Sequence, residues 1–463
     1  MKISHFIWFF IFFIFSMMAS SCHKESVKPE AVSLDSFESG SIGVINKISE
    51  TNWELHIADD NDNADLPDNW RNWWYVRFNN LLENEPITFT IKNNGWPYYY
   101  LPVYSYDQKN WLRFSEDEVS QNSSNELIIQ KKFEATTVWM ARFYPYTFSD
   151  LKHYLTTIQG SPFLEIQTPG FSQKGNPIYL LKITNSGVPN AQKKRVFIHA
   201  RTHPAETPSS FVIEGFVDYL LKGSVQSLEM LSQSEFYIFP MQNVDGVIAG
   251  NYRTTPQSEN LEVMWYYEPL DPLNLKNEAP DEVKIIHNYA KKLMQDGGPS
   301  ITMALNLHAS NSEPDTRTFF FPHFGNMDQG YNVEEASLWE KQLKFINSFA
   351  VNFGLDMVEP VPQEGGSSFA SKTYPESWWW VNYKDQVMAI TMEMTYGRSG
   401  FSPRWIEPVD MRAIGRALAL GIGDYYNTLL EAPYMIESIG KGRTVNLKYP
   451  FIYPPNAKDE LKE

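Results

Sequence analysis

The sequence predicts an α/β protein: a sheet with helices on both faces, preceded by a small antiparallel β-sandwich. Three observations carry that reading. Residues 74–78, 87–91 and 137–142 alternate in polarity and are rich in β-branched and aromatic residues, as half-buried strands are. Beyond residue 148, strand-like runs at 178–183, 195–199, 236–239, 302–307 and 387–392 alternate with helical runs at 208–221, 281–294, 338–353 and 411–430. Such alternation is the mark of a sheet covered by helices. Finally, 463 residues with 43% hydrophobic and 15% aromatic content suffice for two cores.

The segments follow in order. Lys2, a mostly apolar run over 6–18, and Ala19-Ser20-Ser21-Cys22 read as a signal peptide over 1–21. The run is too short to span a membrane comfortably. The small residues before Cys22 resemble a bacterial lipobox, which would make Cys22 a lipidation site; the alternative is an ordinary secretory signal. The expected location is therefore exported and lipid-anchored to a bacterial membrane. Residues 22–36 read as a tether and 37–147 as the sandwich, with Asn93-Asn94-Gly95 as a turn. Five aspartates within 59–68 read as a solvated acidic loop, because an EF-hand's glycine and closing glutamate are missing. The aromatic run 96–100 reads as sheet core and rim, with a glycan or peptide platform as its alternative. Residues 148–435 form the α/β domain and 436–463 a tail. Cys22 is the only cysteine, which excludes intrachain disulfides and cysteine-based metal sites. A net charge of −16 argues against nucleic acid as a partner.

Chemistry concentrates after the second strand-like run of this domain. His203 and Glu206 form a His-x-x-Glu pair ahead of a helix start, where Thr207 is placed to cap and Pro208 suits the first turn. Such a pair can grip one Zn²⁺, and a catalytic zinc takes three protein ligands and leaves one position open. His308, placed just past the strand at 302–307, is the candidate third ligand. Its competitors are His199, read as structural, His287, read as a surface residue of a charged helix, and His323. Glu393 sits in the otherwise apolar strand 389–395, and a desolvated carboxylate suits a general base. Asn243-Val244-Asp245-Gly246 and Gly250-Asn251-Tyr252-Arg253 read as a glycine-bearing loop presenting Arg253 to a developing oxyanion.

Taken together, these motifs resemble the zinc carboxypeptidase family. Residues 200–207 and 391–397 look like its cytosolic-carboxypeptidase branch, and 37–40, 74–78 and 144–151 resemble that branch's extra N-terminal domain and junction. The resemblance covers about 37–430. It implies a zinc-carboxypeptidase-like mixed sheet and one zinc per chain on His203, Glu206 and His308. It implies Glu393 as base, Arg253 as carbonyl-polarising residue, and a peptide substrate bound with help from Arg253 and Asn251. The chain departs from the family at the Asn-Arg pair that clamps a terminal carboxylate: Glu262 and Val263 stand there. The tyrosine expected near 365–367 is also not evident. Arg317, Lys372 and Arg398 are candidate replacement cations. Otherwise the substrate is an internal amide, an isopeptide, a peptidoglycan stem, or a basic tail that meets Glu262. The competing function is a non-catalytic surface lipoprotein that binds peptide or glycan. A serine hydrolase is disfavoured because no Gly-x-Ser-x-Gly elbow occurs.

Overall fold

The computed structural model describes residues 36–427, apart from 190–192, 399 and 402, together with the short strand Glu30–Ala31. The signal peptide, Cys22 and the tail lie outside the described residues. Among the described residues, no helix is long and apolar enough to cross a membrane.

The first domain is a two-sheet sandwich. One sheet runs in the order β1 (Glu30–Ala31), β2 (Val44–Ser49), β3 (Asn52–His56), β5 (Pro86–Lys92), β9 (Leu127–Lys132), β8 (Val119–Gln121). The other runs β4 (Tyr75–Phe78), β10 (Val138–Ala141), β6 (Val103–Ser105), β7 (Trp111–Arg113). Ile87, Phe89 and Ile91 alternate inward from β5 and are fully buried. The sandwich departs from the expected all-antiparallel pattern at one place, where β3 pairs with β5 in parallel. The reason is topological: β4, between them in sequence, belongs to the opposite sheet, so the chain re-enters the first sheet in its original direction.

The second domain is built on a seven-stranded mixed sheet. Its order is β11 (Leu164–Phe171), β12 (Pro177–Ile183), β14 (Ser234–Phe239), β13 (Lys194–Ala200), β17 (Ile301–Ser310), β19 (Met388–Thr395), β18 (Phe319–Phe321). The pairs from β14 through β19 are parallel and the outer pairs antiparallel. A small hairpin, β15 (Tyr267–Glu268) and β16 (Asp271–Leu275), lies apart. The helices are α1 (Phe148–Ile158), α2 (Pro208–Leu221), α3 (Val225–Gln233), α4 (Val244–Ala249), α5 (Asp281–Gln295), α6 (Val333–Phe353), α7 (Pro375–Tyr383) and α8 (Pro408–Tyr426). Successive residues of β14 show that they cover both faces. Phe236 meets Phe216 of α2, with ring centres 5.5 Å apart, while Tyr237 meets Tyr289 of α5 at 6.1 Å. His287, expected on the surface, is buried on the inner face of α5. It packs edge-on against Trp378 at 4.8 Å and its Nε2 lies 3.0 Å from the Leu273 carbonyl.

Two close approaches hold the site-bearing segments. Helices α2 and α8 cross backbone to backbone. A Cβ on Gly215 would come within 2.0 Å of the Arg412 carbonyl oxygen, and one on Gly415 within 2.0 Å of that of Val212. The sandwich in turn grips the loop after α4. Asp60, expected in a solvated loop, is buried. Its carboxylate accepts from the backbone N–H groups of Tyr252 at 2.6 Å, Arg253 at 2.8 Å and Thr254 at 2.8 Å, and from the Thr254 hydroxyl at 2.9 Å. Burial pushes its carboxyl up from the ordinary value, against the pull of those donors. The aromatic run also serves this interface: the hydroxyls of Tyr98 and Tyr100 donate to the Asn311 and Ser312 carbonyls at the end of β17.

Gly415→Ala is expected to destabilise the chain by about 1–3 kcal/mol, because a packed backbone crossing must open. Urea unfolding checks this; an unchanged midpoint would show that the crossing is not tight. Asp60→Ala should leave three buried amides without an acceptor and cost about 2–3 kcal/mol. Hydrogen exchange at 252–254 should accelerate selectively, and unchanged protection there would refute the anchoring role.

Candidate active site

The first strand end that matters is that of β13. Beyond Ala200 the chain turns at Arg201, whose φ is +57°. The Arg201 guanidinium is buried and donates to the Pro204 carbonyl at 3.0 Å, the Tyr146 carbonyl at 3.0 Å and the Ser210 hydroxyl at 2.8 Å. This strut fixes 203–206 as a tight turn leading into α2. Thr207 does not cap the helix with its side chain as expected. The turn is already helical at Thr207, and a capping side chain needs an extended backbone. Helix α4 approaches the same turn closely, since a Cβ on Gly246 would meet the Pro204 ring at 2.5 Å.

His308 lies inside β17 rather than past its end, and register pairs it with Glu393 of β19. The structure brings His203, Glu206 and His308 together, buried, with one candidate ligand atom from each lying within 4.8 Å of the others. Glu206 places one carboxylate oxygen 2.7 Å from His203 Nδ1 and the other 2.8 Å from His308 Nδ1; the two Nδ1 atoms are 3.1 Å apart. The far sides of both rings determine their tautomers. His203 Nε2 is 3.0 Å from Asn260 Oδ1, which also accepts the Glu262 N–H at 3.2 Å. His308 Nε2 is 3.1 Å from a Glu262 carboxylate oxygen. Both acceptors call for N–H on Nε2, so in the neutral, metal-binding form of each ring the Nδ1 lone pair points at one place beside the Glu206 carboxylate. That arrangement fits a divalent metal held by histidines oriented from behind.

The charges agree with a site built for a cation. Burial opposes ionisation of Glu206, yet His203 and His308 hold its carboxyl well below the usual range. Burial likewise opposes a proton on His308, but Glu262 and Glu206 outweigh it and push that imidazole up. His203 is pulled down by burial and by Arg253.

A cleft open to solvent lies over these residues. Arg253 and Glu393 both line it, as do Glu262, Glu376 and Tyr374. The Arg253 guanidinium lies 5.3 Å from the ring of Trp70, a sandwich residue. Asn251 is not brought to the cleft. Its amide braces the loop, donating to Asn61 Oδ1 at 2.9 Å and to the Thr254 carbonyl at 3.0 Å. Glu262 reaches the cleft wall while bonded to His308 and to Asn306 Nδ2 at 3.0 Å. Val263 packs instead with the apolar cluster of Phe324, Phe369 and Trp380. The three candidate replacement cations stay outside the cleft lining: Arg317 pairs with Glu359 and Arg398 with Asp315, and Lys372 is not part of the wall. His199 is a buried neighbour of Trp265, pulled down to about 4 by burial.

Sequence reasoning did not find Asn260, Asn306, Tyr374 or Glu376. Asn260 stands two positions before Glu262, a spacing that puts both on one short turn, Leu261–Val263 and its cap. Glu376 opens α7 and looks like an ordinary helix-start acid, favoured there by the helix dipole. In the fold it is 5% exposed and accepts from the Thr391 hydroxyl at 2.8 Å. Burial, with Glu262 beside it, pushes its carboxyl up to about 7.

That shift has a pH signature. Glu376 keeps its proton to about 7 in the folded, metal-free chain, while the ordinary value is 4.5. Between these values the folded state binds more protons, so stability is full below the lower one and falls as pH rises through the upper one. Metal-free wild type is therefore expected to lose up to about 3 kcal/mol relative to Glu376→Gln between about pH 5 and about pH 8. Parallel stability curves from urea unfolding would overturn this.

The comparisons with known proteins align with this architecture. Residues 34–143 match the cytosolic carboxypeptidase N-terminal domain and residues 151–329 match the zinc carboxypeptidase family model. The chain is 32% identical over 257 residues to cytosolic carboxypeptidase 2 of Homo sapiens, covering 49% of this chain and 28% of that protein. It is 28% identical over 297 residues to cytosolic carboxypeptidase 6 of Homo sapiens, covering 60% of this chain and 56% of that protein. The chain thus spans little more than half, or less, of these relatives. A metallo-carboxypeptidase from Burkholderia cenocepacia has the same fold, with a TM-score of 0.69 at 21% identity over 87% of this chain and 99% of that one. The first matched segment spans the sandwich and the second spans the α/β domain up to residue 329, where the His-Glu-His group falls; the chain belongs to the zinc carboxypeptidase family and carries the N-terminal domain of its cytosolic branch.

Proposed function

We propose that this protein is a zinc-dependent hydrolase of peptide bonds. The observation that carries the reading is the convergence of two Nδ1 lone pairs and the Glu206 carboxylate beneath a cleft that Glu393 and Arg253 also line. Zinc held by His203, Glu206 and His308 would acidify a water to a pKa near about 7 and polarise the substrate carbonyl. Glu393 accepts the proton of the attacking water and passes it to the nitrogen that leaves, so one C–O bond forms as the C–N bond breaks. Arg253 faces the oxygen on which negative charge develops. Asn260 and Glu262 keep both imidazoles in the ligating tautomer. Val263 offers no donor to a terminal carboxylate, so strict dependence on a free C-terminus is not part of this proposal.

We further propose export and anchoring through Cys22, on the strength of the apolar run and the small residues before it. Peptide or peptidoglycan-stem amides at a bacterial envelope are the substrates such a location would offer.

Purified protein is expected to bind about one zinc per chain, as a three-ligand site requires, and His203→Ala to lose it. Glu393→Gln should retain zinc while kcat falls by a factor of about 10²–10⁴ on a cleaved peptide. Absence of zinc from metal-supplemented wild type, or full turnover in Glu393→Gln, would sink the mechanism; zinc binding with no cleavage across a peptide and muropeptide panel would favour a binding protein. Cys22→Ala should move the protein from the membrane to the soluble fraction, and unchanged fractionation would exclude the lipid anchor.

A further inference from the structure

The cleft holds more acid than zinc chemistry uses. Glu206 is a ligand and Glu393 the base, which leaves Glu262 and Glu376 on the same wall. Glu262 is bonded to His308 and Asn306, and Glu376 to Thr391, so neither faces a lysine or arginine in those contacts. Arg253 is the only lysine or arginine among the residues lining the cleft. A second observation points to a ligand at the same place. His323 lines this cleft, is 7% exposed, and its Nε2 is buried without a hydrogen-bond partner. Burial pulls that imidazole down to about 3, so it is neutral and adds no competing charge. Its ring stacks on Phe369 at 3.7 Å, and Phe321, Phe369 and Tyr374 supply apolar wall. Two carboxylates, an unused imidazole nitrogen and aromatic walls match an alkyl chain that ends in a nitrogen cation.

We infer that Glu262, Glu376 and His323 form a cation subsite, and that the substrate carries an ammonium or guanidinium side chain next to the bond that is cut. The inference rests on the peptidase reading for its substrate but not for the subsite itself. Glu262 is already balanced by His308, whereas Glu376 is buried with only the Thr391 hydroxyl as its side-chain donor; an incoming cation beside it offsets the cost of ionising a buried carboxyl. A carboxylate ligand would meet the opposite sign, which agrees with the loss of a clamp at Val263.

Two measurements on the zinc-loaded protein test the inference. In the first, n-butylguanidinium and n-butylammonium are titrated calorimetrically against butyrate and butanol. Both cations should bind, the two neutral or anionic probes should not, and Glu376→Gln should weaken the cations at least about tenfold. Thr391→Val, which only removes the bond holding Glu376, should weaken them less; this keeps the result readable if one variant folds poorly. In the second, peptides with Lys, Arg, Leu or Glu on either side of the scissile bond are compared, with free and amidated C-termini. Lys or Arg on one side should raise kcat/KM at least about tenfold over Leu, and Glu376→Gln should lower kcat/KM for the Lys and Arg peptides far more than for the Leu peptide, so that the preference collapses. Preference for Lys alone or for Arg alone would tell an ammonium from a guanidinium subsite. Equal cleavage of Leu and Lys peptides with no cation binding would overturn the subsite yet leave the peptidase reading standing. Cation binding that depends on Glu376, without cleavage of any peptide, would keep the subsite and remove the peptidase reading.

Discussion

Parallel pairing of β13, β17 and β19 is the constraint on which the site depends. Register sets His308 opposite Glu393, and β13 delivers the 203–206 turn beside them. A strand has a side-chain period of two, so a slip of one residue between β17 and β19 would turn His308 and Glu393 to opposite faces. The sheet is protected from such slips by residues buried on both sides: all eight of β19 are buried, and α2 and α5 cover opposite faces. The close glycine crossing of α2 and α8 then holds the helix that starts at the metal turn.

The sandwich is part of the active-site architecture rather than an appendage. Asp60 collects three consecutive backbone amides around Arg253, Trp70 lies against its guanidinium, and Tyr98 and Tyr100 fasten the end of the strand that carries His308. The role proposed for Arg253 needs the guanidinium placed before charge develops, because reorganisation during the reaction would raise the barrier. A loop fastened from a second domain achieves that placement.

Glu262 and Val263, adjacent in sequence, take different places in the structure. Glu262 serves as the acceptor behind His308, and Val263 withdraws into an apolar cluster. Glu262 thus braces an imidazole and adds a carboxylate to the cleft wall, while Val263 brings no charge to it. Glu376 adds a second carboxyl group to that wall from a helix start distant in sequence.

Much of the chemistry was legible in the chain itself. That His203, Glu206, His308, Glu393 and Arg253 belong together could be read locally, from a motif, strand-end positions and a carboxylate in an apolar strand, and the fold brings all five to one cleft. The alternation of strands and helices likewise announced the sheet. Long-range partners left no such trace. Asp60 looked like one of five solvated aspartates, His287 like a surface histidine and Glu376 like a helix-start acid, because burial is decided by which segment packs on top. The direction of β5 against β3 was hidden for the same reason, since it depends on β4 leaving for the other sheet. By itself, the sequence determined the residue types able to bind a metal and move a proton. Only the tertiary structure decided the imidazole tautomers, the anchoring of Arg253 and the acidity of the cleft, because each arises from groups brought together across tens to hundreds of residues.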